Sequence, residues 1–391
     1  MAASGSRRYL MRAVLCLTVG STGLFGCGRL ARAQTQVGPA RSAPDTDVPA
    51  AVATPGPTSP PSDFAHLVDV AEAEGSTAGP EFLPGTLPPD AGAGAEMGLL
   101  GLIGESIFGN RSDLWRPLPL STFFSEGWLE PWYFYPRSTT GAPRQGWINA
   151  YDGAFYRLVF VDFQYVNNFQ KNGNAYLGTL IPFIPISRRF QLRFDVPFIV
   201  SNKGGLSNTY HGNIGDFVVS PRFLLSESQD LSQVFECLVS TPTGSTVNGN
   251  GQATLTPQYE FWYAGLPGGG VIRGGTGLTI PTNNAGVTST IGGARTTVPG
   301  ARTTYTYDLA VGKYWTPHDA TPGDLVTYLS IIGYTTLDDR GPMYSYLSFT
   351  PGFRFHLGND YFFLAGIEVP VTGPKNHSFT WAPSFVITKV W

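Results

Sequence analysis

The residues of this chain that could carry out acid–base or metal chemistry are few and scattered. The five histidines are His66, His211, His318, His356 and His377. No HExxH, CxxC, GxSxG or Walker-type run occurs in the sequence. His377 is followed directly by Ser378, a pair that a hydrolase could use, but adjacent residues of a strand face opposite sides. The sequence therefore predicts no enzyme activity, no metal and no cofactor.

Charged residues recur instead at alternate positions of segments that are otherwise apolar. In the segment Arg188–Phe198, RRFQLRFDVPF, every second residue from Phe190 is apolar. This period of two predicts a β-strand with one apolar face and one polar face. The polar faces of this and similar segments carry the candidate functional charges, which are Arg189, Arg193, Asp195, Arg222, Glu260, Asp308 and Arg354. In a channel they would bias which solutes pass; the alternative is that they pair with one another and fill a narrow barrel.

The composition excludes several classes of protein. Only 14% of the 391 residues are charged, against about 25% in an average soluble domain. The formal net charge of −3 gives no basic surface for nucleic acid. No apolar run after the N-terminal region reaches the length of a membrane-spanning helix. The three cysteines are Cys16, Cys27 and Cys237, and no disulfide is expected in the mature domain.

The N-terminal region has the pattern of an exported protein. Residues 1–33 combine a basic start, an apolar middle and the triplet ARA before Gln34, as in a signal peptide that is cut after Ala33. The run Leu24–Cys27, LFGC, resembles a lipobox, and by that second route Cys27 would be lipidated and become the N-terminus. Both routes remain open, and both imply export into a Gram-negative-type envelope.

Two further segments precede the main domain. Residues 34–95 are rich in Ala and Pro and predict a disordered linker, because they cannot bury enough apolar surface to offset their chain entropy. Residues 96–153 predict one short helix at Glu96–Gly109, followed by the aromatic and proline-rich segment Leu114–Pro136. That segment either plugs the following domain or forms an ordered preamble to it.

Residues 154–391 resolve into twelve candidate strands. They start near Ala154, Asn174, Arg188, Asp216, Gln233, Ala253, Gly270, Thr303, Asp324, Met343, Asp360 and Phe379. Strands of about 11–13 residues, tilted near 40°, span the roughly 25 Å apolar band of an outer membrane. Short and long connections alternate, as periplasmic turns and extracellular loops do. The predicted fold is an all-β, transmembrane, antiparallel up-and-down barrel of about twelve strands, with its apolar face toward the lipid bilayer.

The last segment, Phe379–Trp391, reads FTWAPSFVITKVW and has aromatic and aliphatic residues in phase. It resembles the C-terminal signal by which outer-membrane barrels are recognised for assembly. Lys389 interrupts the apolar phase, and Trp391 stands where Phe is usual. The lipid bilayer and the assembly machinery are therefore the expected partners, and the cell outer membrane is the expected location.

Three strand ends on the long-loop side share a phrase: LVSTPTG at Leu238–Gly244, LTIPTN at Leu278–Asn283 and EVPVTG at Glu368–Gly373. Together with GNIGDFVVSPRFLL at Gly212–Leu225, this resembles the transporter-type barrels of the MetA-pathway-of-phenol-degradation family, which are related in style to FadL-like channels. The resemblance implies an outer-membrane channel or facilitator for the diffusion of small, hydrophobic or aromatic solutes. The alternatives are a structural or adhesin-like barrel with a blocked lumen and an integral outer-membrane hydrolase.

Overall fold

The structure is a computed structural model. It describes residues 98–169, 173–202, 210–244, 253–282, 287–291, 294–298, 302–337, 345–372 and 379–391. The predicted signal peptide and linker, including Cys27, lie outside the described residues. The pair His377 and Ser378 also lies outside them.

Helical structure is confined to short pieces in the described part of the chain. Helix α1 (Leu99–Phe108) falls within the predicted helical segment, and three 3₁₀ turns follow at Ser112–Leu114, Leu120–Thr122 and Pro267–Gly269. The hydroxyl of Ser106 in α1 donates to the carbonyl of Ile186 at 3.0 Å. This bond fixes α1 beside one end of the sheet. Among the described residues, no helix has both the length and the apolar character that crossing a bilayer requires.

Twelve of the described strands form one closed, antiparallel wall. They are β1 (Leu158–Val166), β2 (Ala175–Pro185), β3 (Phe190–Asn202), β5 (Val218–Glu227), β6 (Leu231–Ser240), β7 (Thr254–Leu266), β8 (Gly270–Pro281), β11 (Thr304–Tyr314), β12 (Gly323–Thr336), β13 (Ser345–Gly358), β14 (Tyr361–Pro370) and β15 (Ala382–Val390). Each pairs with its neighbours in sequence order, and β1 pairs with β15 from Leu158 opposite Val390 to Gln164 opposite Ser384. Strand β4 (His211–Asn213) pairs antiparallel with the last three residues of β3, while β9 (Val287–Ile291) and β10 (Ala294–Val298) pair with each other. The predicted barrel is confirmed.

The connections divide the barrel into two ends. The short turns at residues 186–189, 228–230, 267–269 and 359–360 lie at the end where β1 begins and β15 finishes. This end is called the short-turn end, and the opposite one is called the long-loop end. Every predicted strand start lies within four residues of the observed one, and the largest difference is at β1, which begins at Leu158 rather than near Ala154.

The apolar face of each strand is the outside of the barrel. In β11, Leu309 and Val311 are each 44% exposed, whereas Asp308 and Ala310 between and beside them are buried. The same alternation leaves large apolar side chains exposed around the wall, among them Phe163, Phe198, Leu255, Phe353, Ile367 and Phe385. An outward apolar band on a closed barrel is the surface that lipid acyl chains cover. The orientation predicted from the alternation is confirmed.

Aromatic side chains mark both borders of this band. At the long-loop end the Tyr165 ring lies 5.4 Å from that of Trp381 and 5.5 Å from that of Tyr176. At the short-turn end Trp315, Tyr361 and Trp391 are exposed. Amphipathic aromatic rings favour the headgroup level of a membrane. The positions of the two belts therefore fix the depth at which the barrel sits in the membrane.

Lys389, which interrupts the apolar phase of the last strand, lies at the short-turn border. Its ammonium group donates to the carbonyl of Asn359 at 2.6 Å and lies 3.5 Å from the carboxylate of Asp360. It is also 4.8 Å from the centre of the Tyr361 ring. A lysine that reaches polar partners at the membrane border does not place its charge in the acyl region. The interruption is therefore compatible with a membrane-facing strand.

Substitution of Leu309 by arginine tests the orientation of the wall. In lipid vesicles we expect Leu309→Arg to lower the free energy of unfolding by about 2–4 kcal/mol, because a guanidinium would enter the apolar band. The matched control is Leu337→Arg, since Leu337 is 54% exposed and lies just beyond the end of β12; we expect a loss of about 1 kcal/mol or less there. Equal effects of the two substitutions, measured by urea unfolding, would contradict a lipid-facing Leu309.

Candidate functional site

Residues 138–157, which directly precede β1, run from the short-turn end into the barrel and back, and are called the lumen loop. Its apolar side chains are deeply buried: Ala142, Ala150 and Phe155 are 0% exposed, and Trp147 is 4% exposed. The Trp147 ring stacks on that of Tyr328 at 4.9 Å, with an angle of 5° between the planes. Tyr328 belongs to β12, so the loop is packed against the inner face of the wall.

Hydrogen bonds from the lumen loop reach wall strands all around the barrel. The bonds join Gln191 of β3 to the Tyr156 carbonyl, Arg222 of β5 to the Ala154 carbonyl, Arg273 of β8 to the Gln145 carbonyl, the Tyr151 amide to Asp308 of β11, and Ser330 of β12 to the Ile148 carbonyl. Strands on opposite sides of a closed barrel can contact one loop together only from within. The lumen loop therefore fills the centre of the barrel.

The lumen loop enters and leaves through the short-turn end. Just before the loop, Arg137 pairs with Asp324 at 2.8 Å, near the start of β12, and the loop ends at Arg157, next to the start of β1. Its tip is Asn149, which has a φ of 54°, a left-handed conformation that asparagine tolerates better than most residues. The side-chain amide of Asn149 donates to the hydroxyl of Thr350 at 2.9 Å and to the carboxylate of Glu368 at 3.1 Å. Since Glu368 lies near the long-loop end of β14, the loop reaches deep into the lumen.

Beside the loop, the inner wall holds a compact cluster of ion pairs. Arg193 forms a two-pronged pair with Asp195, at 2.7 and 2.8 Å. Arg222 lies 3.3 Å from Glu236 and 3.1 Å from Glu260. All five side chains are at most 3% exposed. Buried charges of this kind are tolerated when each has partners, and leaving one unpaired is strongly destabilising.

This cluster brings together four of the seven sequence-predicted residues, namely Arg193, Asp195, Arg222 and Glu260. The sequence analysis missed Arg273, Glu236 and Asp152. Arg273 pairs with Asp152 of the lumen loop at 2.8 Å. Alternation could have found Glu236, because its neighbours on both sides face outward in β6. Asp152 lies in no strand, so no periodic signal could have found it.

The other three predicted residues lie apart from this cluster. Asp308 accepts the Tyr151 amide at 3.2 Å. Arg354 is 2% exposed and lies near the short-turn end of β13, with its guanidinium 4.2 Å from the centre of the Phe362 ring. Arg189 lies in the turn before β3, outside the wall. It is buried, and this burial lowers the pKa of its guanidinium below the usual value.

Arg189 holds residues 112–136, called the cap, against the short-turn end. Its guanidinium donates to the carbonyl of Glu126 at 2.9 Å and to the hydroxyl of Thr122 at 3.1 Å. The cap is also joined to β5 by two main-chain bonds between Leu118 and Glu227, at 2.9 and 2.8 Å. The aromatic segment Leu114–Pro136 therefore covers the short-turn end, and the residues that fill the lumen are those that follow it.

Among the described residues, no group of three or more His, Cys, Asp or Glu side chains is arranged to hold a metal ion. Cys237 is a free thiol in β6. Burial raises the pKa of the Tyr135 hydroxyl, which lies outside the strands. This hydroxyl donates to the carbonyl of Arg144 at 3.3 Å and so helps to hold the base of the lumen loop.

Comparison with known proteins places the chain in a family. Residues 150–376 match the family described as "Putative MetA-pathway of phenol degradation". The match includes eight residues of the lumen loop and all of the wall as far as β14. No sequence among the curated proteins matches the chain.

Several solved outer-membrane proteins are similar to it in structure. The COG4313 outer membrane channel from Pseudomonas putida F1 is 11% identical, with a TM-score of 0.46 over 63% of this chain and 99% of the channel. The NanC porin is 10% identical, with a TM-score of 0.39 over 60% and 99%. The CymD monoaromatic hydrocarbon channel is 6% identical, with a TM-score of 0.33 over 61% and 89%. These similarities are weak, and the fold rests on the strand pairing of this chain itself.

Substitution of Gly153 tests the position of the lumen loop. A Cβ added at Gly153 would overlap the main chain of Phe261, whereas one added at Gly104 in α1 meets no atom within 4 Å. We expect Gly153→Ala to lower the free energy of unfolding by about 1–3 kcal/mol, because the loop must shift from the wall. The control, Gly104→Ala, should leave it unchanged or raise it by up to about 1 kcal/mol. The measurement is urea unfolding of both variants. Equal free energies of unfolding for Gly153→Ala and Gly104→Ala would contradict this packing.

Proposed function

The chain belongs to the MetA-pathway-of-phenol-degradation family, and we propose that it acts as an outer-membrane channel or facilitator for small solutes. The observation that carries this proposal is the organisation of the lumen. The wall is a complete membrane-type barrel, and its centre is filled by a separate segment, the lumen loop, rather than by wall side chains that meet one another. A barrel of this size encloses more space than its own inward side chains need.

The contacts of the lumen loop make it a constriction that is separable from the wall. It is held by side-chain bonds from wall residues such as Arg222 and Ser330 to loop carbonyls. None of these bonds belongs to the strand pairing that closes the barrel. A shift of the loop would therefore open a path without breaking the wall, and loops of this kind move on slower timescales than side chains.

The proposed solutes are small molecules with an aromatic or hydrophobic body. The family description names phenol degradation, and the lumen offers aromatic surfaces beside polar ones. Trp147 and Tyr328 stack near the centre, and the Tyr156 ring meets that of Phe183 edge-on at 5.6 Å. The charges of Arg193, Arg222 and their carboxylate partners would act on solutes that also carry charge or dipoles.

A barrel with a permanently blocked lumen is the second candidate function. The observation that favours it is the same filling of the lumen, since the loop bonds to seven wall strands or more would also suit a rigid stopper. Such a protein would act through its long loops at the surface. The two candidates differ in one property, which is whether the folded barrel conducts.

The export and assembly steps belong to the same proposal. The signal peptide of residues 1–33, or lipidation at Cys27, would deliver the chain to the envelope. The strand β15 and Trp391 would then present the assembly signal. In β15 the side chains of Phe385 and Ile387 are 49% and 44% exposed on the outer face, where a recognition factor could reach them before the barrel closes.

Electrical recording in planar bilayers tests the proposed function. We expect the full chain to give single-channel steps. A variant in which residues 146–151 are replaced by glycine and serine at equal length, with Asp152 kept as the partner of Arg273, should give steps several-fold larger, because the side chains of Trp147 and Tyr151 leave the lumen. Folding of each sample is checked by the shift of its gel mobility on boiling. Silence of a folded wild-type barrel and of the folded loop variant would contradict the channel and support the structural role.

A further inference from the structure

A cavity of about 190 Å³ lies between the cap, the lumen loop and the wall at the short-turn end. Its lining combines aromatic rings with arginines, and includes Trp132, Tyr135, Arg144, Tyr156, Arg354 and Phe362. For comparison, a protein cavity of roughly 150 Å³ can hold one benzene ring. The cavity is thus large enough for a molecule with a single ring and a small polar group.

Arg354 is the unusual residue of this lining. Its side chain is 2% exposed, and its Nε and Nη1 atoms have no hydrogen-bond partner among the described residues. Within that part of the chain no carboxylate oxygen lies within 4.0 Å of its guanidinium, which lies 4.2 Å from the centre of the Phe362 ring. A buried guanidinium carries a large desolvation penalty that an acceptor would offset. The side chain is therefore prepared to receive an anion from the cavity.

The other arginines of the lining are already bonded. Arg137 pairs with Asp324, and Arg144 pairs with Glu227 and with the carbonyl of Ser228. Arg157 donates to the main-chain oxygens of Trp391 and Gly109. These carboxylates are thus engaged by arginines other than Arg354. The other carboxylate of the lining, Asp360, lies 3.5 Å from the ammonium group of Lys389. Four arginines and two carboxylates line the cavity, so it keeps an excess of positive charge, and Arg354 is the arginine whose Nε and Nη1 lack acceptors.

We propose that this cavity binds a small carboxylate that has a single aromatic ring, with the carboxylate on Arg354 and the ring among the aromatic side chains. The planar guanidinium fork matches a carboxylate in two parallel hydrogen bonds. The apolar rings of Trp132, Tyr135 and Tyr156 favour an anion with an apolar body over a strongly hydrated ion such as phosphate. This inference rests on the proposed function for its place on the transport route, at the short-turn mouth, but the binding itself can be measured without conduction.

Titration of benzoate into the full chain in detergent, followed by calorimetry, tests the site. We expect wild-type protein to bind benzoate, and we expect Arg354→Gln to weaken binding about tenfold or more, since both charge-assisted hydrogen bonds are lost. The matched control is Arg116→Gln. Arg116 is a half-exposed cap residue that pairs with Glu126 and Glu130 and does not line the cavity, so its substitution should leave the affinity within about twofold.

Neutral and smaller probes complete the test. Benzamide should bind wild-type protein about tenfold more weakly than benzoate or worse, because it lacks the charge, and acetate should bind more weakly because it lacks the ring. Equal affinity of Arg354→Gln and wild type for benzoate, equal binding of benzamide or acetate, or no benzoate binding at all would overturn the site. If Arg354→Gln does not fold, the benzoate, benzamide and acetate series on wild-type protein decides.

The two proposals fail in different ways. Channel steps from a protein that does not bind benzoate would overturn the site and leave the channel. Benzoate binding by a folded wild-type barrel, with no channel steps from that barrel or from the folded loop variant, would overturn the channel and leave the site.

Discussion

The buried arginines of the wall need acceptors, and the lumen loop supplies them. Arg222 and Arg273 are each 0% exposed, and each donates to carbonyls of the loop as well as to carboxylates. The need is mutual, because the loop forms no helix or strand and its buried carbonyls would otherwise lack donors. In a dry interior each set of groups offsets part of the desolvation cost of the other. This exchange of hydrogen bonds holds the centre of the barrel together.

The outside of the barrel is apolar where the inside is polar, and this contrast defines what the protein can do. Leu309, Phe353 and Phe385 meet lipid, so the polar residues of the same strands must face inward. The interior is therefore polar enough to admit a solute, yet it is closed by a loop that is not part of the wall. The short-turn end is covered by the cap, which Arg189 holds in place. A solute that entered from the long-loop end would meet the lumen loop first and the Arg354 cavity afterwards.

The sequence predicted the barrel well because its signals are local. Period-two alternation and alternating connection lengths gave twelve strands, and the inward positions of Arg193, Asp195, Arg222 and Glu260 followed from the same alternation. The lumen loop could not be predicted, because it has no period and its partners are distant: Ala154 and Arg222 are 68 positions apart, and Gln145 and Arg273 are 128 apart. Sequence also cannot show which arginine lacks a carboxylate.

Hydrogen exchange of the lumen loop, measured by mass spectrometry on the folded protein in lipid, tests the central claim most directly. The amide of Ile148 donates to the Tyr328 hydroxyl at 3.0 Å, and the amide of Tyr151 donates to Asp308. Both are buried, so the account predicts that peptides covering residues 145–152 exchange slowly, on the timescale of the wall strands. Exchange of these peptides at the rate of a free chain, while the wall strands stay protected, would contradict a loop that is bonded inside the barrel.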